Sequence, residues 1–286
     1  MKDRTAHAGQ AGPRRWAFKI GYLSDGFYGY ARQPGKPTVE GLIVDELARR
    51  KVFSGEKSIL VASRTDKGVH ALGNVIAFDT PLNGDAAARV LGSMDDRIFC
   101  FGFAPVDTDF DPRDALERWY RYLIPAKGRD QRDWDTWAGE FEGLHEFSSF
   151  SRKDTPPRTT ERTVRKACAS MAGPYLAIDI VAPSFLWGQV RKIVAALDMV
   201  ADRRLTIGDL RAALSGAKRL TLPLAPAERL SLMDVTYPFD FTPNTASPAR
   251  RLESISLMTE ALQVRATLLD GFRERIANGP KPFPAK

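Results

Sequence analysis

Short runs rich in branched and aromatic side chains recur along the chain and predict β-strands. In the run ERWYRYLI, polar and aromatic residues alternate, which is typical of a strand whose two faces have different surroundings. Stretches rich in Gly, Pro and Asp separate the runs and predict turns. The predicted strands are WAFKIGYL, SILVA, NVIAF, RIFCFGFAPV, ERWYRYLI, YLAIDIVA and LMDVTY.

Apolar residues at spacings of three and four predict helices between and after these strands. Thr38 is a suitable N-cap for the first helix. A second helix begins near Gly188, and a third has Thr206 as its N-cap and Gly216 just beyond its end. A long C-terminal helix, ended by NGPKPFP, is predicted from Ile255, Met258, Leu262, Leu269, Phe272 and Ile276.

Strands and helices occur in both halves of the chain, a mixture that is compatible with an α/β protein of the α+β kind. The stretch DTDFDPRDA, crowded with Asp and carrying one Pro, is the best candidate for a link between the halves. We therefore expect a flexible tail over residues 1–15, an N-terminal α+β domain over 16–106, a C-terminal α+β domain over 107–245 and a helical extension over 246–286.

The composition is that of a globular protein with a well-buried core: 286 residues, of which 43% are hydrophobic and 27% charged. No apolar run reaches the roughly 18 residues needed to span a bilayer, and no secretory leader is recognisable. The cytoplasm is therefore the expected location. The two cysteines, Cys100 and Cys168, lack metal-ligand spacing and are expected to be reduced packing residues.

The charge balance favours an anionic partner such as nucleic acid. Forty-two Lys and Arg against 35 Asp and Glu give a net charge of +7 and a pI near 9.5. Net charge alone fits a solvated basic surface equally well. The distribution is more informative, because residues 152–166, RKDTPPRTTERTVRK, concentrate basic side chains in a Pro- and Thr-rich segment. Arg158 and Arg162 in this segment are therefore predicted to contact phosphates.

One carboxylate stands among basic residues in SRTDKGVH, between two predicted strands. Asp66, Lys67 and Gly68 could form an ordinary turn, with Asp66 capping backbone amides and Arg64 solvated. The same residues could instead fix an aspartyl nucleophile on a rigid loop, with Gly68 allowing close approach of backbone or substrate. The residues alone leave both readings open.

Five motifs, in the same order over roughly residues 20 to 240, resemble those of the tRNA pseudouridine synthase A family. SRTDKGVHALGNVIAF is similar to that family's catalytic signature. The other four are SDGFYGYARQP, ERWYRYLI, GLHEFSSF and FLWGQVRKIVAAL. The resemblance implies an enzyme that isomerises uridine to pseudouridine in tRNA without a metal or an organic cofactor.

The resemblance also assigns roles. It implies that Asp66 is the nucleophile, that Tyr120 stacks on the target base near the proton that leaves carbon 5, and that Arg191 pairs with Asp66. Arg64 corresponds to an arginine that helps displace the target nucleotide. Lys67, which directly follows Asp66, is a further candidate for RNA binding. Without the resemblance, Tyr120 would be a packing aromatic and Arg191 a phosphate contact or a solvated charge.

The pseudouridine synthase fold that the resemblance implies has two similar mixed domains, whose largely antiparallel sheets join centrally around a basic cleft, and the protein is expected to be a homodimer. Ser63, YARQ and Gln189 depart from the family pattern without removing a catalytic group. The bacterial group modifies positions 38 to 40 of the anticodon arm, and relatives with other targets share the signature. A non-catalytic RNA-binding protein on the same scaffold is the alternative.

Overall fold

The computed structural model describes residues 14–53, 59–152, 159–245 and 248–278. The described residues up to Asn244 belong to one compact unit, and those from Thr245 belong to a second.

The first half of the larger unit contributes four neighbouring strands and two helices. The strands are β1 (Arg14–Tyr22), β2 (Leu60–Val61), β3 (His70–Thr80) and β4 (Ile98–Pro105), and the helices are α1 (Val39–Arg49) and α2 (Gly84–Leu91). Strand β1 lies between β4 and β3, and all of these pairs, including β2 with β3, are antiparallel. Ile43 and Leu47 of α1 are fully buried in the core.

The second half repeats this mixture. Its strands are β5 (Glu117–Pro125), β6 (Gly143–Glu146), β7 (Glu161–Val164), β8 (Lys166–Ala172), β9 (Tyr175–Ala182), β10 (Leu230–Thr236) and β11 (Thr242–Pro243). Its helices are α3 (Gln131–Gly139), α4 (Gln189–Ala201) and α5 (Ile207–Leu214). Strands β10, β5, β9 and β8 follow one another antiparallel, β6 and β7 form a separate hairpin, and β11 returns to pair with β4.

The two sets of strands join in one continuous sheet through β3 and β10, which run parallel to each other. Leu232 of β10 is the central residue of this junction, because it pairs with Ala71 on one side and with Tyr120 of β5 on the other. Ala71 directly follows the loop that carries the SRTDKGVH motif. The register therefore places this loop beside the middle of β5.

The prediction of an α+β protein with a largely antiparallel sheet is confirmed. The predicted caps are also present: the Thr38 hydroxyl accepts from the Gly41 amide at 3.1 Å, and Thr206 forms a capping box with Asp209. Gly216 follows α5 with a φ of +77°, as a residue beyond a helix end requires. The division at residue 106 stays a prediction, since the sheet continues across it.

Some elements differ from those predicted. Strand β1 begins at Arg14, and Arg15 bonds to Asp79 at 2.9 Å, so the strand starts inside the segment predicted as a tail. No strand was predicted in the basic segment 152–166, but its residues Glu161–Val164 form β7 with Val164 buried. The helices α2 and α3 were not predicted, because both are short and their apolar positions are mostly Ala or Trp.

The second unit contains the predicted C-terminal helix, α6 (Pro248–Asn278). It ends just before the Gly-Pro pair of NGPKPFP. Most of its described large apolar side chains are exposed, from 43% for Ile255 to 87% for Ile276, while Met258 is half-buried. None of the helices in the described part of the chain is both long and apolar enough to cross a membrane.

Candidate active site

The loop between β2 and β3 carries Asp66 and is fixed from both sides. The Tyr30 amide donates to the Thr65 carbonyl at 3.0 Å, and the hydroxyls of Tyr22 and Thr65 lie 2.8 Å apart. The Asn74 amide nitrogen donates to the Ser63 carbonyl at 2.8 Å. These buried contacts hold the backbone on either side of Asp66 in one position.

Two glycines allow the loop to pack this closely. Gly29 has a φ of +100°, and a Cβ there would lie 2.9 Å from the Thr65 carbonyl oxygen. Gly68 has a φ of +90°, and a Cβ there would lie 2.9 Å from the Cβ of Ala227. Both positions therefore need glycine for backbone conformation and for space.

The Asp66 carboxylate has a donor on each oxygen. Arg191, in the first turn of α4, donates from Nη1 to Oδ2 at 3.1 Å, and its Nε donates to the Ala225 carbonyl at 2.7 Å. Trp187 donates from its indole Nε1 to Oδ1 at 3.1 Å. The Arg191 side chain is 15% exposed and that of Asp66 is 32% exposed, so the pair is partly shielded while the carboxylate stays open to a ligand.

Tyr120 projects from the middle of β5 towards this loop. Its residue is 9% exposed, and its ring meets that of Phe185 edge-on, with 5.1 Å between the centroids. Burial raises the pKa of its phenol, and the charge of Asp66 adds to this effect. A hydrogen bond with Ser63 and the charge of Arg118 act in the opposite direction. The Tyr120 phenol therefore stays protonated at neutral pH.

Arg118 is a buried residue of the site that was missed at the level of sequence. Its Nε donates to Ser63 Oγ at 3.1 Å, and its Nη2 donates to the carbonyls of Ala62 at 3.1 Å and Arg113 at 2.8 Å. Its Nη1 donates to the Pro183 carbonyl. Arg118 precedes Tyr120 by two positions on β5, so the alternation in ERWYRYLI could have placed both on one face.

The proposed RNA-binding residues of the loop are exposed. Arg64 and Lys67 both lie at the surface on either side of Asp66. The Lys67 ammonium lies 4.3 Å above the ring of Tyr28, an aromatic residue that is 38% exposed. Lys36 approaches the same ring at 4.7 Å. These side chains therefore form an exposed basic and aromatic surface next to the carboxylate.

Of the two arginines predicted to contact phosphates, Arg158 lies outside the described residues. Arg162, in β7, donates from Nη1 to the carbonyls of Thr159 at 2.9 Å and Glu161 at 2.6 Å. Its guanidinium is therefore held against its own backbone near the β6–β7 hairpin. Among the described residues, no hydrogen bond joins Arg162 to Asp66, Tyr120 or Arg191.

A second group of basic side chains lies on the other side of Trp187. The guanidinium of Arg152 stacks over the Trp187 ring at 3.9 Å. Lys192 donates to the Ser151 carbonyl at 2.8 Å, and its pKa is lowered first by burial and then by the positive charges of Arg219 and Arg152. Cations this close to one another would be stabilised by a bound anion.

The described residues offer little for a metal ion or a disulfide. Nowhere in the described ranges do three or more His, Cys, Asp or Glu side chains gather as a metal site requires. Cys100 and Cys168 are both free, and burial raises the pKa of the Cys100 thiol to about 12. The Asp66 carboxylate itself is bonded by the Arg191 guanidinium and the Trp187 indole, and its charge acts on the Tyr120 phenol.

Comparison with known proteins identifies the class, which is that of the pseudouridine synthases. A family model described as tRNA pseudouridine synthase matches residues 138–238. The chain is 39% identical to tRNA pseudouridine synthase A of Pyrococcus abyssi, covering 78% of this chain and 84% of that protein. It is 36% identical to the protein of the same name from Methanothermobacter thermautotrophicus, covering 78% and 82%. The chain therefore belongs to the tRNA pseudouridine synthase A family, and pseudouridine synthases are isomerases.

Among solved structures, one similarity is to a chain in the crystal structure of a Cbf5-Nop10-Gar1 complex. The sequences are 13% identical, and the match covers 64% of this chain and 44% of the other with a TM-score of 0.33.

Proposed function

We propose that the protein converts specific uridines of tRNA to pseudouridine with Asp66 as the nucleophile. The observation that supports this most directly is the 3.1 Å contact between Arg191 Nη1 and Asp66 Oδ2. It joins two residues 125 positions apart in the chain, and both belong to motifs that resemble the family signature. A turn-closing aspartate would not require a partly buried arginine from another element.

The reaction breaks the bond between N1 of uracil and C1′ of ribose and forms a bond between C5 and C1′. The proton on C5 is lost and N1 gains one, so the product is an isomer of the substrate. A carboxylate can attack C6 of the base or C1′ of the sugar and later depart, and it can also act as a base on a glycal route. Each route places the Asp66 carboxylate beside the target nucleoside.

Tyr120 is proposed to stack on the target base close to C5. A tyrosine phenol is neutral at neutral pH, and burial raises the pKa of Tyr120 further, so the ring adds no charge that would repel Asp66. The uridine must first leave its stack in the tRNA, at a cost of a few kcal/mol. Arg64 and Lys67 are proposed to help displace and hold the nucleotide, since both are exposed beside Asp66.

Arg158 and Arg162 are proposed to contact the phosphate backbone of tRNA. The group Arg152, Lys192 and Arg219 supports the same interpretation for the surface next to Trp187, because each of these cations lacks an ion-pair partner among the described residues. Contacts of this kind position RNA without reading its sequence.

The target is proposed to be the anticodon arm, by analogy with the bacterial members of the family, and the protein is proposed to act as a homodimer in the cytoplasm, where tRNA is used. Light scattering after gel filtration would measure the oligomeric state directly. A mass of one chain, close to 31.7 kDa, at all concentrations would contradict the homodimer.

Incubation of the purified protein with unmodified tRNA transcripts, followed by mapping of pseudouridine, tests the proposed function. We expect pseudouridine at one or more anticodon-arm uridines, and its loss when each of these is replaced by cytidine. Tight binding of tRNA without any pseudouridine would favour the non-catalytic RNA-binding protein. Pseudouridine elsewhere in the tRNA would contradict only the proposed position.

A further inference from the structure

Trp187 is a half-exposed aromatic side chain in direct contact with the proposed nucleophile. It is 43% exposed, yet its indole N–H points at Asp66 Oδ1 rather than at solvent. The sequence assigned it no role, because it occurs in FLWGQVRKIVAAL as one more apolar residue before α4. Its contact joins residues 121 positions apart.

The indole is held in place by its surroundings. Its backbone carbonyl accepts from the Arg152 amide at 2.9 Å, while the Arg152 guanidinium covers its ring at 3.9 Å. Gly188, with a φ of +73°, lets the chain turn into α4 at this point, and a Cβ there would lie 3.0 Å from Leu224 and 3.5 Å from Arg152. The direction of the N–H is therefore set before any substrate binds.

We propose that Trp187 is a positioning residue that orients the Asp66 carboxylate for attack. A carboxylate held by one donor can still rotate about its terminal torsion, which is broad and two-fold. Donors on both oxygens, Arg191 on Oδ2 and Trp187 on Oδ1, fix the plane of the group. Each oxygen accepts more than one hydrogen bond, so lone pairs remain for the reaction. This inference rests on the proposed function of Asp66.

Trp187→Phe tests the inference, because it removes the N–H donor and keeps a ring on which Arg152 can stack. Under single-turnover conditions with saturating enzyme, we expect the rate of pseudouridine formation to fall roughly tenfold, as for the loss of one hydrogen bond to a charged group. The Kd for tRNA should change less than about twofold, because ring stacking and the basic residues are kept.

Trp119→Phe is a matched control. Trp119 also donates from its indole Nε1 to an aspartate, Asp179 Oδ1, at 2.6 Å, but it lies on the face of β5 opposite to that of Tyr120. This variant should keep the wild-type rate. An equal fall in the rate of pseudouridine formation in both variants would mean that either indole-to-carboxylate bond has the same effect. That result would overturn a specific role for Trp187.

The remaining outcomes separate the inference from the proposed function. If Asp66→Asn is inactive and Trp187→Phe keeps the wild-type rate or exceeds it, the positioning role is wrong while the nucleophile stands. A weaker Kd at an unchanged rate would make Trp187 an RNA contact, which also overturns the proposal. If Asp66→Asn stays active, the proposed function itself fails.

Discussion

Arg118 helps to hold the segment that leads into the Asp66 loop. It is 7% exposed, and its guanidinium donates to one hydroxyl and three backbone carbonyls from three separate segments of the chain. A planar guanidinium donates hydrogen bonds to acceptors in several directions, whereas the single ammonium group of a lysine cannot reach all of them. Arg118 therefore ties β5 to the segment that leads into Asp66.

Arg118→Lys should lower both stability and activity. Because buried acceptors would lose their donors, we expect the free energy of unfolding to fall by about 1–3 kcal/mol. Urea unfolding and single-turnover assays would measure the two effects. Arg121→Lys is the control, since Arg121 lies three positions further along β5 and makes a part-exposed ion pair with Asp179. If the two variants lost equal stability and equal activity, the supporting role of Arg118 would be wrong.

The sequence singled out candidate site residues but not most of their contacts. Asp66, Tyr120 and Arg191 stood out because their motifs resemble those of a known family. The contacts of Trp187 with Asp66 and of Arg118 with Ser63 join residues 121 and 55 positions apart. Periodicity reports only which face of an element a residue occupies, so it cannot show which distant segment that face meets.

At the scale of elements, local signals predicted the helices whose ends are set by side chains. Thr38 and Thr206 mark the starts of α1 and α5 because their hydroxyls accept backbone N–H groups that the helix leaves without partners. The order of the strands did not follow from local signals. The parallel junction of β3 and β10 depends on pairing between distant segments, and only the structure defines it.

The cap of α5 predicts a pH-dependent stability. Hydrogen bonds from Lys218, and from the Thr206 backbone and hydroxyl, hold the pKa of Asp209 below its usual range. The carboxylate therefore stabilises the folded state fully above the unfolded pKa of about 3.9, and this contribution is lost as the pH falls towards the folded pKa. Asp209→Asn should lower the Tm at pH 7, and the difference from wild type should shrink below about pH 4.

Thermal unfolding at a series of pH values would measure this difference. Asp202→Asn is the control, because Asp202 is exposed just beyond α4 and makes no side-chain hydrogen bond among the described residues. It should change the Tm little at any pH. A difference for Asp209→Asn that stayed constant from pH 7 to pH 3 would contradict the assigned role of the charge.

For the whole molecule, we expect RNA binding to depend on where the basic residues lie as well as on how many there are. The net charge of +7 attracts RNA from a distance, while phosphate contacts determine how steeply binding depends on salt. Some basic residues form ion pairs with nearby carboxylates, such as Arg49 with Glu46 and Arg89 with Asp85, and should therefore contribute less to the binding of phosphates.

Replacing Arg158 and Arg162 together by Gln should weaken binding to all tRNAs alike. The slope of log Kd against log salt should become shallower by about 1–2, because two phosphate contacts are lost. Arg49→Gln with Arg89→Gln removes the same charge elsewhere and should leave the slope nearly unchanged. Equal changes in the two double variants would assign the effect to net charge alone.

Asp66 is proposed to be the group that reacts with the target nucleoside. Asp66→Asn keeps the size of the side chain and an oxygen for hydrogen bonding, but it removes the charge and the nucleophilic oxygen pair. Asp79→Asn is a suitable control, since Asp79 also pairs with an arginine, Arg15, but lies near the end of β3 away from the loop.

Single-turnover assays would compare the conversion of a tRNA transcript by Asp66→Asn with that by wild type and by Asp79→Asn. The Kd for tRNA would be measured for each of the three proteins. We predict that Asp66→Asn binds tRNA with a Kd within about twofold of wild type, since the contacts with the phosphate backbone of tRNA are unchanged. Asp66→Asn should form no detectable pseudouridine, while Asp79→Asn should stay active. Conversion of uridine by Asp66→Asn at near the wild-type rate would contradict the claim.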